Sequence, residues 1–148
     1  MRILLAICLL FALTGCGGEE KAVPASNAEV PETIAVKFFE EILVNNDSQT
    51  ARRYLVPTMV RVLDSYTSGR AYARTMLNMR FDQVEITVED SNKSVREFYT
   101  DSADVMLIFV GTYDGNKQVD MRMVRMTQQR GKWLIAEIKD DPFARPGI

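Results

Sequence analysis

The spacing of apolar residues changes at Phe81, and this change constrains the fold of the 148-residue chain more than any other feature of its sequence. Upstream of Phe81, apolar residues recur every three or four positions, as they do along one face of an amphipathic helix. Downstream, Val84, Ile86 and Val88 alternate with polar residues, which is the pattern of a strand with one buried face. Helices followed by strands predict an α+β fold, in which N-terminal helices pack on a curved antiparallel β-sheet.

Start and stop signals divide the helical half into short segments. Pro31 suits the first position of a helix that is expected to end at 45–47. Ser48 is expected to cap a second helix, and Pro57 breaks the pattern and restarts it. A last short helix is expected over 70–79. Its buried face is expected to contain Ala73, Met76 and Leu77.

The strand half is divided by two turn signals. Asp114-Gly115 and Arg130-Gly131 each predict a two-residue turn. Strands are expected at 84–88, 103–113, 117–128 and 132–139. The second of these is apolar on both faces, so it is expected to lie inside the sheet. A further short edge strand is compatible with 95–99.

The two turns also predict the register of the sheet. The first places Asp104 opposite Arg125 and Met106 opposite Met123, and the second places Met123 opposite Ile138. One face then collects Met106, Ile108, Val110, Val119, Met121, Met123, Leu134, Ala136 and Ile138. The other collects Val105, Leu107, Phe109, Val124, Met126, Trp133 and Ile135, together with Asp120, Arg122 and Glu137.

The helices can cover only one of these faces. The remaining apolar face is a candidate surface for a homodimer or for an envelope protein partner, because large exposed apolar patches mark binding surfaces. The alternative is that the C-terminal tail, 141–148, and long arginine stems cover it.

The N-terminus has the features of an export signal. Arg2 is followed by an apolar run over 3–13 that is too short to cross a bilayer as a helix. The next residues complete the sequence Leu13-Thr14-Gly15-Cys16, which resembles the lipobox of bacterial lipoproteins. The resemblance implies a signal peptide at 1–15, cleavage between Gly15 and Cys16, and attachment to membrane lipid through acylated Cys16. The alternative is an ordinary secretory signal with an incidental cysteine.

The residues after Cys16 predict how the domain is joined to its membrane and which membrane that is. Residues 16–30 have no hydrophobic period and are expected to form a flexible tether. In the lipoprotein family, Asp directly after the cysteine favours the inner membrane. Gly17 stands there instead, which implies a location in the bacterial cell envelope, on the outer membrane and facing the periplasm.

Residues 31–140 resemble the NTF2-like superfamily, which has a cystatin-like α+β fold. The resemblance is in the order of helices and strands and in the strand that begins Gly131-Lys132-Trp133. It implies a cone formed by a strongly curved sheet and the helices. Function is not implied, because the family includes isomerases, dehydratases, secretion-machine subunits and binding modules.

The composition excludes several classes of site. The chain has no histidine, Cys8 would leave with the leader and Cys16 would carry lipid. Ser-His-Asp and Cys-His catalysis and histidine-based zinc sites are therefore excluded, and no metal or cofactor is expected. A net charge of −2 gives no basis for nucleic-acid binding. Four methionines of the strands are better explained as core filler than as soft-metal ligands, namely Met106, Met121, Met123 and Met126.

Asp104 and Arg125 are the residues of this sequence that most resemble a catalytic arrangement. A cross-strand ion pair is the favoured interpretation, since an arginine partner makes a carboxylate a weaker base. The family resemblance provides the alternative, because NTF2-like enzymes place an aspartate base and tyrosines inside the cone. In that case Asp104, Tyr54 and Tyr66 would line the pocket.

Charge is distributed unevenly along the chain. Residues 48–80 contain six arginines and a single acidic residue, Asp64, whereas residues 81–104 contain seven acidic and two basic residues. A solvated helical surface is the favoured explanation. The alternative is that the arginines lie against anionic lipid or an acidic partner.

These features lead to two expectations about function. The first is an exported, lipid-anchored envelope protein with a non-catalytic binding or assembly domain. The second is a small-molecule-binding or weakly enzymatic pocket protein that uses the interior of the cone.

Overall fold

The computed structural model describes residues 29–89 and 101–140. The expected signal peptide, its cleavage site, lipidated Cys16 and the tether as far as residue 28 lie outside the described residues, as do the expected edge strand at 95–99 and the tail at 141–148.

Four short helices precede four strands, which confirms the α+β class. The helices are α1 (Pro31–Phe39), α2 (Ser48–Ala51), α3 (Pro57–Asp64) and α4 (Gly69–Thr75), with a π-helical segment at Glu40–Asn45 and a 3₁₀ turn at Arg52–Tyr54. The strands are β1 (Gln83–Val88), β2 (Ser102–Tyr113), β3 (Asn116–Gln129) and β4 (Lys132–Lys139). All neighbours are antiparallel, in the order β1-β2-β3-β4, so β2 is an interior strand as predicted.

The first helical segment begins and ends as the sequence predicts. Pro31 occupies its first turn, where its missing N–H is no loss, and Val30 before it is extended. The helix continues through the π-helical segment until Asn46, whose φ of 54° is left-handed and ends it. Phe38 and Phe39 are fully buried on its inner side.

The caps of the short helices differ from the sequence prediction at one position. Asp47, not Ser48, caps α2: its carboxylate accepts the N–H of Thr50 at 2.9 Å. Asp47 has non-helical backbone angles, which a cap requires, whereas Ser48 is already the first helical residue. Ser68 caps α4 in the same way and accepts the N–H of Ala71 at 3.2 Å.

The prediction that Met76 packs in the core is wrong. Helix α4 ends at Thr75, before Met76, and the Met76 side chain is 52% exposed. Asn78 then takes a left-handed conformation that redirects the chain, and Met79 becomes buried instead. Ala73 and Leu77 are buried as predicted.

Both tight turns have the expected geometry. Asp114 and Gly115 have positive φ, as do Arg130 and Gly131, which is the conformation that joins twisted antiparallel strands most directly. The predicted register between β2 and β3 is confirmed over its whole length, with Asp104 opposite Arg125.

The predicted pairing of Met123 with Ile138 is wrong because β4 contains a bulge. Near the turn, Met126 pairs with Ile135 as expected, but the next residue of β3, Arg125, pairs with Glu137. Ala136 is therefore an extra residue without a partner on β3. Beyond it, Ile138 pairs with Val124 and packs against the core, whereas Glu137 lies on the opposite face.

The helices cover the face of the sheet that contains Leu107 and Phe109. Phe39 meets Phe109 edge to face, with ring centroids 4.8 Å apart, and Phe38 meets Tyr72 in the same way at 6.5 Å. The sheet residues fully or almost fully buried beneath the helices are Ala103, Val105, Leu107, Phe109, Val124, Met126 and Ile135.

Candidate functional site

The face of the sheet turned away from the helices, here called the outer face, has an apolar centre. Its central residues form three cross-strand pairs, namely Met106 with Met123, Ile108 with Met121 and Val110 with Val119. Val119 is 57% exposed and Val110 36%, whereas Ile108, Met121 and Met123 are half-buried and Met106 is only 6% exposed. An apolar stripe on the two middle strands that is exposed at one end is compatible with a protein-binding surface.

Asp104 and Arg125 lie together at one end of the outer face. Arg125 Nε donates to Asp104 Oδ1 at 3.0 Å and Nη2 donates to Oδ2 at 3.2 Å, so the pair is bidentate. The Glu137 carboxylate is 3.9 Å from Arg125 Nη1 because the bulge turns it to this face. Both members of the pair are partly solvated, which limits its contribution to stability to about 1 kcal/mol or less.

Tyr54 belongs to a cavity at the edge of the fold whose lining includes neither Asp104 nor Arg125. The cavity has a volume of about 300 Å³ and lies between the 3₁₀ turn, the start of α1 and the turn that joins β3 to β4. Its lining residues are Glu29, Ile34, Arg53, Tyr54, Gly131, Lys132, Trp133 and Leu134. Two aromatic rings and two exposed cationic side chains thus converge on one opening.

Tyr66 lies on the helical side of the sheet, packed against Tyr72. Their ring centroids are 5.5 Å apart and the rings meet edge to face. The structure therefore joins Asp104 to Arg125, whereas Tyr54 lines the cavity beside Trp133 and Tyr66 packs against Tyr72. The three residues expected to line an interior pocket do not meet.

The interior also contains a polar group that sequence reasoning missed. The ring of Tyr72 is fully buried, and its hydroxyl has no hydrogen-bond partner among the described residues. Burial raises the pKa of Tyr72 to about 12, because the phenolate would be poorly solvated there. No local pattern in the sequence distinguishes this tyrosine from its exposed counterparts.

Arg122 is the second polar residue that sequence reasoning did not single out. It is only 6% exposed, and its guanidinium joins three parts of the fold. Nη2 donates to the carbonyl oxygen of Leu77 and to Asp120 Oδ2, both at 2.9 Å, and Nη1 donates to Asp140 Oδ1 at 3.0 Å. The signal was present in the sequence, since the predicted register puts Asp120 and Arg122 on the same face as Leu107 and Phe109, which the helices cover.

The arginines of the helical half are mostly solvated. Arg52 pairs with Asp64 at 3.2 Å, and both side chains remain about two-fifths exposed. The other five arginines of this region are exposed, namely Arg53, Arg61, Arg70, Arg74 and Arg80. Of these, Arg53 differs in lining the cavity that contains Trp133.

Within residues 29–89 and 101–140, no three acidic or cysteine side chains cluster closely enough to hold a metal ion. The same residues contain no helix that is long and apolar enough to cross a membrane. Comparisons with known protein families, with curated proteins and with solved structures find no match for this chain.

Proposed function

We propose that this chain is an exported, lipid-anchored protein of the bacterial envelope, and that its folded domain is a non-catalytic assembly module that binds a second copy of itself. The outer face of the sheet is the observation that carries this proposal. The NTF2-like architecture is part of it, supported by helices that precede an antiparallel sheet and by a last strand that begins directly after Gly131 and contains Trp133.

The outer face has about the extent of a small interface. β1 pairs with residues 107–112 of β2 and β4 pairs with residues 123–129 of β3, so about three strands lie side by side at any level of the sheet. Strands about 4.8 Å apart, of which β2 has 12 residues, give a surface about 14 Å wide and up to about 40 Å long, which is somewhat below the area of about 800 Å² that each partner buries in a standard interface. The apolar centre lies between the two middle strands, and charged residues lie towards its margins, as in typical interfaces.

The pattern of the face fits a second copy in particular. A twofold axis parallel to the strands, passing between β2 and β3, exchanges these two strands between copies. It places Asp104 over Arg125 of the second copy, and Arg125 over its Asp104. The same operation places Ile108 over Met121, so apolar residues meet apolar residues.

The charged residues at the two edges of the outer face are also paired by this twofold axis. Glu89, next to Met106, and Lys139, next to Met123, lie on opposite edges of the sheet. Exchange of the two edges brings opposite charges together in the dimer. A heterologous envelope protein would need no such internal correspondence, and we therefore commit to self-association.

Light scattering on the full, detergent-solubilised protein tests this proposal. We expect a dimer, and we expect Val119→Asp to convert it to a monomer because a desolvated carboxylate would lie at the apolar centre. Val44→Asp is the matched control, since Val44 is 52% exposed on the π-helical segment and lies off the sheet. A wild-type monomer, or equal effects of the two substitutions, would contradict self-association through this face.

Charge exchange provides a second test. Asp104→Arg places like charges together both within one copy and across the proposed interface, and we expect it to weaken the dimer. Asp104→Arg combined with Arg125→Asp restores both sets of pairs and is expected to restore the dimer. Failure of the double variant to recover while the fold stays intact would contradict the proposed axis.

The lipid anchor is tested separately by mass spectrometry of the envelope protein. We expect a mature chain that begins at acylated Cys16. Cys16→Ser should abolish both acylation and processing, whereas Cys8→Ser, within the leader, should leave both unchanged. An unmodified Cys16 in the wild-type protein would contradict the anchor.

The sequence left open a second function, a ligand pocket inside the cone. Among the described residues, the space between helices and sheet is occupied by fully buried side chains, including Phe39, Leu107 and Phe109. Their packing supports assembly over catalysis. The cavity at Trp133 lies at the edge of the fold and is lined by aromatic and basic side chains instead.

A further inference from the structure

We infer that the cavity beside Tyr54 and Trp133 is a docking site for the headgroups of anionic phospholipids, and that it holds one end of the domain against the membrane. This inference rests on the proposed lipid anchor and adds a second, reversible contact to it. We call the cavity and its lining residues the aromatic-basic cavity.

The walls of the aromatic-basic cavity are fixed by the fold. Leu55, directly after the 3₁₀ turn, forms a parallel bridge with Ile135, and the N–H of Val56 donates to the carbonyl oxygen of Ile135 at 3.0 Å. These contacts hold Tyr54 against the start of β4, where Trp133 lies. The cavity of about 300 Å³ is thus built by backbone contacts between distant segments. It can hold a compact polar headgroup, since it lies at the lower end of the range for ligand sites.

The charge of the cavity favours an anion. Arg53 and Lys132 line it and are exposed, and Arg130 lies two residues from Lys132 in the same turn. Glu29 is the acidic residue of the lining, but its carboxylate is bound to the ammonium group of Lys37. Their hydrogen bond raises the pKa of Lys37, so this pair contributes no net charge at neutral pH. Two cations therefore remain to meet a phosphate.

The aromatic residues favour a membrane surface as the source of that phosphate. Trp133 and Tyr54 are half-buried, and each side chain combines an apolar ring with a polar N–H or O–H group. Such side chains are enriched at the level of lipid headgroups, where one part of the ring meets acyl chains and the other meets water. Basic side chains beside them gain about 1 kcal/mol each from an anionic membrane surface.

The position of the chain end brings this cavity to the membrane. Glu29 lines the cavity, and 12 residues separate it from Cys16, the proposed site of acylation. Twelve residues span at most about 40 Å even when fully extended. The anchor therefore keeps the aromatic-basic cavity at a high local concentration near headgroups, where even a weak contact is populated.

Trp133 reports on this contact directly because it is the only tryptophan of the chain. The experiment uses the full lipidated protein, reconstituted into vesicles of phosphatidylcholine alone or of phosphatidylcholine mixed with phosphatidylglycerol. Tryptophan emission is recorded with and without brominated acyl chains, which quench a ring that reaches them. We expect a blue shift and strong quenching with phosphatidylglycerol, and we expect both to be largely lost at about 1 M salt, where the Debye length falls to about 3 Å.

A matched pair of variants tests the two cations. Arg53→Gln combined with Lys132→Gln should abolish the difference between the two lipid compositions. Arg61→Gln combined with Arg74→Gln removes the same charge from exposed helical sites outside the cavity and should retain the difference. Thermal unfolding of both variants in detergent checks that each has kept its fold.

The outcomes separate this inference from the proposed anchor. Flotation with phosphatidylcholine vesicles measures the anchor alone, because these lipids have no net charge. If the protein floats but Trp133 responds equally to both compositions, the anchor stands and the docking site is overturned. The site is also overturned if glycerophosphoglycerol in detergent shifts the emission while anionic vesicles do not, since the cavity would then bind a soluble ligand. Absence of flotation overturns the proposed anchor instead.

Discussion

Arg122 donates a hydrogen bond from Nη2 to the main-chain carbonyl oxygen of Leu77, at 2.9 Å and across 45 residues of sequence. The contact joins the middle of β3 to the chain just beyond α4, where the helical half ends and the strand half begins. It therefore links the two layers by a polar bond within otherwise apolar packing.

Replacing Arg122 with Leu is expected to destabilise the domain by about 3 kcal/mol, because the Leu77 carbonyl and the Asp120 carboxylate would lose a buried partner. Denaturant unfolding measures this change. Arg125→Leu, three residues along the same strand, removes a partly solvated pair and is expected to cost about 1 kcal/mol or less. If the two substitutions lowered the free energy of unfolding equally, the buried hydrogen bonds of Arg122 would stabilise the fold no more than the solvated pair of Arg125.

Replacing Tyr72 with Phe is expected to leave stability at pH 7 unchanged or to raise it by about 1 kcal/mol. The substitution keeps the buried ring and removes a hydroxyl that has no hydrogen-bond partner among the described residues. Tyr113→Phe, at a tyrosine that is 40% exposed, is the control. A loss of more than about 1 kcal/mol in Tyr72→Phe would reveal a hydrogen bond to the hydroxyl.

The same residue predicts how stability depends on alkaline pH. The folded protein holds the Tyr72 proton more tightly than the unfolded chain, since the pKa is about 12 in the fold and near 10 without it. The stabilisation from this proton is therefore complete below pH 10 and is lost as the pH rises through 12, by about 3 kcal/mol in total. The free energy of unfolding, measured across this pH range, should fall by this amount in Tyr113→Phe, and the fall should be absent in Tyr72→Phe. If Tyr72→Phe lost the same stability at alkaline pH, other groups would be its cause.

Replacing Gly111 with Ala is expected to destabilise the domain by about 2 to 3 kcal/mol, because the paired strand β1 lies too close to leave room for a methyl group. A Cβ atom at Gly111 would overlap the carbonyl oxygen of Gln83 and lie 2.9 Å from the ring of Phe81. Gly131→Ala is the control. It meets open space and carries only the strain of a positive φ, about 1 kcal/mol. Thermal unfolding compares the two, and a smaller cost at Gly111 would show that β1 moves freely.

Replacing Ser68 with Ala is expected to destabilise the domain by about 1 kcal/mol through loss of the cap of α4. Ser68→Asn should retain most of the stability, because asparagine also accepts the N–H of the third residue of a helix. Ser65→Ala removes an exposed hydroxyl that donates to the Val62 carbonyl oxygen and should change stability by less than about 0.5 kcal/mol. Equal stability of Ser68→Ala and wild type would show that the cap is dispensable.

The register of β2 with β3 could be predicted because a two-residue turn determines which residues pair. The register of β4 could be predicted only as far as Met126. The bulge follows Ile135, whose carbonyl oxygen accepts the N–H of Val56 on the side away from β3. Such a contact between distant segments leaves no trace in the alternation of the strand itself.

The candidate sites divide in the same way. The pairing of Asp104 with Arg125 follows from the position of the two-residue turn at Asp114-Gly115 alone. Tyr54 and Trp133 come together from opposite ends of the domain, and no local pattern predicts that they share a cavity. Met76 illustrates the reverse case, since its helical spacing favoured burial until α4 ended one residue earlier.

The bulge at Ala136 absorbs a residue that an unbroken strand would have to pair. Because Ala136 has no partner on β3, Glu137 lies on the outer face and Ile138 packs against the core. Deleting Ala136 would let Glu137 follow Ile135 directly and pair with Arg125, so both side chains would keep their sides of the sheet. A strand of either length therefore closes the same sheet, and the extra residue changes the local bend and twist rather than the pairing beyond it.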